Sequence, residues 1–87
     1  MLTLKYTTKA QKSLDKLDRA VKKKIEDYMN DLCTLQNPRA KGKGLTGNRA
    51  GQWRYRVGDY RVICEIQDSV LIILVLEIGH RSEIYKK

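Results

Sequence analysis

The sequence predicts an α+β fold of order β-α-α-β-β-β, with two N-terminal helices packed on one face of a small, mainly antiparallel sheet. Three patterns predict it. Apolar and polar residues alternate at the N-terminus, apolar residues then recur at helical spacing as far as Leu35, and alternation returns from Trp53 onward. Leu2, Leu4 and Tyr6 alternate with Thr3, Lys5 and Thr7, as in a strand with one buried face. Thr8, followed three residues later by Gln11, fits a capping box. Ala10, Leu14 and Leu17 then share one face of a short helix ending near Asp18. Asp18 is placed to cap a second helix over residues 19–36, whose inward stripe is Val21, Ile25, Tyr28, Met29, Leu32 and Leu35. The run Lys22, Lys23 and Lys24 is directed largely outward, and Asn37 followed by Pro38 stops the helix.

Residues 38–48 hold three glycines and little apolar content, which reads as a loop returning the chain to the sheet. Trp53, Tyr55 and Val57 then alternate with Arg54 and Arg56; Gly58 and Asp59 supply a tight turn; Tyr60, Val62, Cys64 and Ile66 alternate with Arg61, Ile63 and Glu65. This is a hairpin. A second turn near Gln67, Asp68 and Ser69 leads into residues 70–79, apolar on both faces for most of their length, as in a strand with neighbours on either side. Trp53 and Tyr55 lie opposite Arg54 and Arg56 and are assigned to the core.

Eighty-seven residues are enough for one modest core, so residues 1–87 are expected to form a single domain. The longest apolar run, residues 70–76, is far short of a membrane-spanning helix, and the first five residues lack signal-peptide architecture. A soluble, cytoplasmic protein with no membrane partner is expected. Cys33 and Cys64 are the only cysteines, with no Cys-x-x-Cys and a lone histidine, so neither a disulfide framework nor a zinc cage is expected; both read as small buried hydrophobes.

The 18 Lys and Arg against 10 Asp and Glu give a net charge of +8, which makes a polyanion the first partner to consider. Residues 37–56 concentrate it: Arg39, Lys41, Lys43, Arg49, Arg54 and Arg56 occur there without a single acid. Alternation puts Arg54 and Arg56 on one face, and the short turn brings Arg61 onto the neighbouring strand of that face. A solvated charged face is one reading. The other is a phosphate chain lying across three guanidiniums that would otherwise repel, each donating bidentate hydrogen bonds. Beyond the last strand come His80, Arg81 and Tyr85, which makes phosphodiester cleavage through the RNA 2′-hydroxyl conceivable: it needs a proton acceptor, cations for the phosphorane and an acid for the leaving oxygen. The glycines between Gly42 and Gly47 begin like a Walker loop, but Asn48 and Arg49 replace the required Lys-Ser/Thr and no helix follows, which excludes that reading.

Leu45-Thr46-Gly47, Trp53-Arg54-Tyr55-Arg56-Val57-Gly58-Asp59-Tyr60-Arg61-Val62, Gly79-His80-Arg81 and Ile84-Tyr85 resemble the RelE/ParE toxin superfamily over essentially the whole chain. The arginine hairpin and the terminal Arg81/Tyr85 pair resemble the RelE branch. The resemblance implies the same fold, and the toxin of a type II toxin–antitoxin system: a ribosome-dependent, metal-independent mRNA interferase that cuts mRNA in the ribosomal A site and inhibits translation. Its partners would be a cognate antitoxin, the ribosome with its rRNA, and mRNA, with no cofactor. By position, Arg54 and Arg56 stand where the best-known RelE type has lysines, Arg61 matches a phosphate-contacting arginine, Arg81 an acid or charge stabiliser, and Tyr85 a stacking or orienting tyrosine. Arg39, Lys41, Lys43 and Arg49 would contact RNA or rRNA. Because arginine does not give up its proton, neither Arg54 nor Arg56 can be the general base. The acceptor is Tyr85, with an ordinary pKa of about 10 that converging arginines would lower, or His80, which reads equally as a polar cap. A third option is no strong base at all, positioning and charge stabilisation sufficing. A YoeB-like pattern with a glutamate base is not matched, since the hairpin face carries arginine and no acid. The alternatives are a ParE-like inhibitor of DNA gyrase and a non-catalytic basic nucleic-acid-binding module.

Overall fold

In the computed structural model, which describes residues 1–80, the chain opens with strand β1 (Thr3–Tyr6). Thr7 ends this strand and starts the next element. Its N–H donates to Val75 O at 2.9 Å, in line with the strand ladder, while its Oγ1 accepts from Ala10 N at 3.1 Å as an N-cap. The cap is therefore Thr7 and not Thr8, because only Thr7 has the extended backbone that a cap requires; Thr8 is already helical. Helix α1 (Thr8–Asp15) buries Ala10 and Leu14 and stops short of Asp18, its last turn closed by Lys16 N to Ser13 O and Leu17 N to Leu14 O. Asp18 caps helix α2 (Arg19–Leu32), its Oδ1 accepting from Ala20 N at 2.9 Å. α2 ends four residues before the expected boundary at 36. There the Thr34 hydroxyl donates to Asp31 O at 2.6 Å and the backbone tightens into i-to-i−3 bonds.

The sheet has five strands where the sequence pattern gives four. β2 (Lys43–Gly44) pairs antiparallel with β3 (Trp53–Val57), which is followed by β4 (Tyr60–Gln67) and β5 (Ile72–His80). The order is β1-β5-β4-β3-β2, with β1 parallel to β5 and every other pair antiparallel. β2 sits inside the stretch expected as loop, and tertiary contacts lay it down. Gly42 adopts φ +76° beneath the Arg54 carbonyl, Trp53 Nε1 donates to Lys41 O at 2.7 Å, and the buried Tyr55 hydroxyl donates to Pro38 O at 2.8 Å.

Both helices cover one side of the sheet. Leu14 from α1 and Ile25, Met29 and Leu32 from α2 meet Tyr55, Val62, Cys64, Ile73 and Val75 in a closed core, with Trp53 packed at its margin. Cys33 and Cys64 are both buried and unbridged, as expected of small hydrophobes, and burial pushes both thiols above their ordinary pKa. Among the described residues no helix is long and apolar enough to cross a membrane.

A cationic sheet face as the candidate functional site

The side of the sheet away from the helices is set by the pleat. Tyr55 and Val57 point into the core, so Arg54 and Arg56 point out, and strand pairing then decides which residues stand beside them. Arg56 lies directly opposite Arg61 across the β3–β4 ladder, and Arg61 in turn opposite Gly79 of β5. One row along, Lys43, Arg54, Ile63 and Glu77 follow one another across β2, β3, β4 and β5. Neighbours in a row stand about 5 Å apart, within reach of long side chains. Arg56 is exposed and Arg54 half-buried. Arg61 is only 7% exposed, its Nη1 lying 3.5 Å from Tyr60 O.

The expected convergence of Arg54, Arg56 and Arg61 is therefore present, and Lys43 joins it. Arg49 joins it from the loop before β3: its Nη1 donates to Gln52 Oε1 at 3.0 Å and its Nη2 donates to Glu77 Oε1. Lys9 at the start of α1 approaches Glu77 Oε2 at 3.6 Å from the opposite edge. Two acids correct the reading that the hairpin face carries arginine and no acid: Glu65 of β4 shares the parity of Arg61 and Ile63, opposite Leu74, and Glu77 of β5 stands in the Arg54 row. The only signal for Glu77 in the sequence is a lone acid in an otherwise apolar strand, at the same parity as Gly79.

Other expected members stand elsewhere. Arg39 makes a two-pronged ion pair with Asp68, at 3.0 and 2.9 Å, which holds the Asp68 carboxyl below its usual range and raises the guanidinium. Lys41 Nζ sits 5.6 Å from the centre of the Tyr28 ring, on the α2 side. His80 pairs with Tyr60, one residue out of phase with the arginines, so it projects to the helix side. Its ring meets Tyr60 edge-on at 5.5 Å, beside a cavity of about 470 Å³ that Ser13, Lys16 and Leu17 also line. Arg81 and Tyr85 lie outside the described residues.

Helices cover one side of the mixed sheet and a cluster of guanidiniums stands on the other, the architecture of a small basic α+β protein. The family follows from comparison. The model of the ParE toxin of type II toxin–antitoxin systems matches residues 4–85, and the chain belongs to that family. It is 33% identical over 86 residues to the toxin RelG of Mycobacterium tuberculosis, covering 98% of this chain and 97% of the relative. Among solved structures it resembles the M. tuberculosis RelBE2 toxin–antitoxin complex at 30% identity and a TM-score of 0.81, over 92% of this chain and 98% of that one. The isolated Escherichia coli RelE toxin shares the fold at 20% identity, with a TM-score of 0.76 over 98% of this chain and 92% of its own. The resemblance to the RelE/ParE superfamily is thus borne out, as is the α+β fold.

Proposed function

We propose that this toxin is a ribosome-dependent endoribonuclease that cuts mRNA in the ribosomal A site and is held silent by a cognate antitoxin. The observation that carries the reading is Arg56 directly opposite Arg61, with Arg54 two residues along on the same face. A phosphate lying between them would accept bidentate, charge-assisted hydrogen bonds from both guanidiniums. In the reaction the RNA 2′-oxygen attacks the adjacent phosphorus, its proton leaves to an acceptor, the bond to the 5′-oxygen breaks, and that oxygen takes up a proton. The products are a 2′,3′-cyclic phosphate and a 5′-hydroxyl. Arg54, Arg56 and Arg61 would hold the phosphorane charge, each well-placed donor contributing about 10²–10³ in rate. Arg81 would assist at the leaving oxygen and Tyr85 would orient the substrate. No arginine can accept the 2′-proton, and His80 projects to the other side of the sheet, so positioning on the ribosome carries much of the rate. The M. tuberculosis RelBE2 relative was solved with its antitoxin, which supports a protein partner for this chain.

A second reading, inhibition of DNA gyrase, is favoured by the ParE name of the matched family. The test runs both assays on one preparation. Purified toxin is expected to cut mRNA on programmed ribosomes, to leave free RNA nearly intact, and not to change gyrase supercoiling. Gyrase inhibition with intact mRNA would replace the nuclease reading.

A further inference from the structure

One acid on the cationic face supports an inference that rests on the nuclease reading and deepens it. Glu77 closes the row begun by Lys43, Arg54 and Ile63, and it is gripped from both sides, by Lys9 of α1 and by Arg49 of the loop before β3. The Arg49–Glu77 ion pair thus ties the loop before β3 to β5, two strands further along the sheet order. Ile63, between Arg54 and Glu77, is fully buried although it faces away from the helices. Gln52 Oε1 and Glu77 Oε1 fix two N–H groups of Arg49, its side chain remains 41% exposed, and a guanidinium has further donors.

A carboxylate on a phosphate-gripping surface opposes binding by simple Coulomb repulsion. It helps only if it sets the geometry of a cation. We propose that Glu77 is a positioning residue for cleavage: it fixes Arg49 across the open face, so that its guanidinium meets the RNA phosphates already oriented beside Arg54 and Arg61. A free arginine would have to be ordered at each encounter, at a cost in rotamer entropy.

Four consequences separate positioning from bulk charge and from direct catalysis. On programmed ribosomes, Glu77→Ala is expected to lower kcat about tenfold while leaving KM unchanged or lower, because a repelling charge has gone. Glu77→Gln keeps an acceptor oxygen for Arg49 and is expected to retain most of the rate. In an Arg49→Ala background Glu77→Ala is expected to cost nothing further, since Glu77 acts through Arg49. Independently of any cutting, ¹⁵N relaxation of the Arg49 Nε–H group is expected to show a rigid side chain in the wild type and a mobile one in Glu77→Ala. Equal rate losses with and without Arg49, an unchanged kcat, or an Arg49 equally ordered in both proteins would overturn the proposal. A wild type that cuts no mRNA overturns the nuclease reading instead, and the relaxation measurement then decides whether the clamp exists.

Discussion

Gly42→Ala is expected to be far more damaging than the same change at two other glycines with positive φ, and the difference can be worked from distances. Gly42, Gly47 and Gly51 have φ of +76°, +64° and +92°, so an alanine at any of them carries a left-handed strain of about 1–2 kcal/mol. At Gly47 and Gly51 a new Cβ meets nothing within 4 Å, and the strain is the whole cost. At Gly42 the new Cβ would lie 2.4 Å from Arg54 O, 2.8 Å from Trp53 Nε1 and 2.8 Å from Tyr55 Cδ1. The Arg54 carbonyl belongs to the sheet and cannot swing aside, so β2 must part from β3. That gives up the Lys43–Arg54 and Gly44–Trp53 pairing and the Trp53–Lys41 hydrogen bond. At about 1 kcal/mol for each lost bond, Gly42→Ala should exceed the other two variants by about 2–3 kcal/mol. Thermal melts followed by circular dichroism at neutral pH should place its Tm about 10–20 °C below theirs. Melting of all three within about 1 kcal/mol of one another would refute the view that β2 is held down by this close approach.

Three further outcomes follow from the packing. Tyr55→Phe keeps the ring but strands the Pro38 carbonyl that the hydroxyl serves at 2.8 Å, and urea denaturation should show a loss of about 1–2 kcal/mol. Thr7→Ala removes the α1 cap and the hydroxyl bond to Leu76 O at 3.2 Å, with an expected loss of about 1–2 kcal/mol; Thr7→Ser should restore most of it. Burial pushes the Tyr6 hydroxyl up to about 12 and raises Tyr55, Cys33 and Cys64 as well. These groups stay protonated in the folded chain where the unfolded chain ionises. Their contribution is intact below about pH 8.5 and declines as pH rises through the tyrosine range. Tm should therefore be level from neutral pH to about 8.5 and fall steadily above it, whereas a level Tm to pH 11 would contradict the assignment.

What the sequence shows of this fold is what short-range pattern can encode. Alternation at Trp53, Tyr55 and Val57 against Arg54 and Arg56 gives the β3–β4 hairpin and the side on which its arginines stand, because the pleat has a period of two. The capping role of Asp18 is equally local. Where the sequence reading departs from the structure, distant contacts decide. Thr7 displaces Thr8 as the cap because β5 claims its backbone N–H. The two residues of β2 have no alternation to read and depend on Trp53 and Gly42. Arg39 meets Asp68 across 29 residues, a partner no local pattern announces. Glu77 is hidden because residues 72–78 are apolar on both sides, and a β-bulge between Ile63 and Cys64 shifts the register with β5.

The most direct test of the central claim, that opposed guanidiniums on the open sheet face act together on one RNA phosphate, is the single-turnover rate of mRNA cutting on programmed ribosomes. Wild type, Arg56→Ala, Arg61→Ala and the double variant would be compared, with folding checked by circular dichroism. Each single change is expected to slow cutting at least about tenfold, and the double variant by less than the product of the two, since both groups serve the same phosphate. Two single variants that fold and cut at the wild-type rate would contradict it.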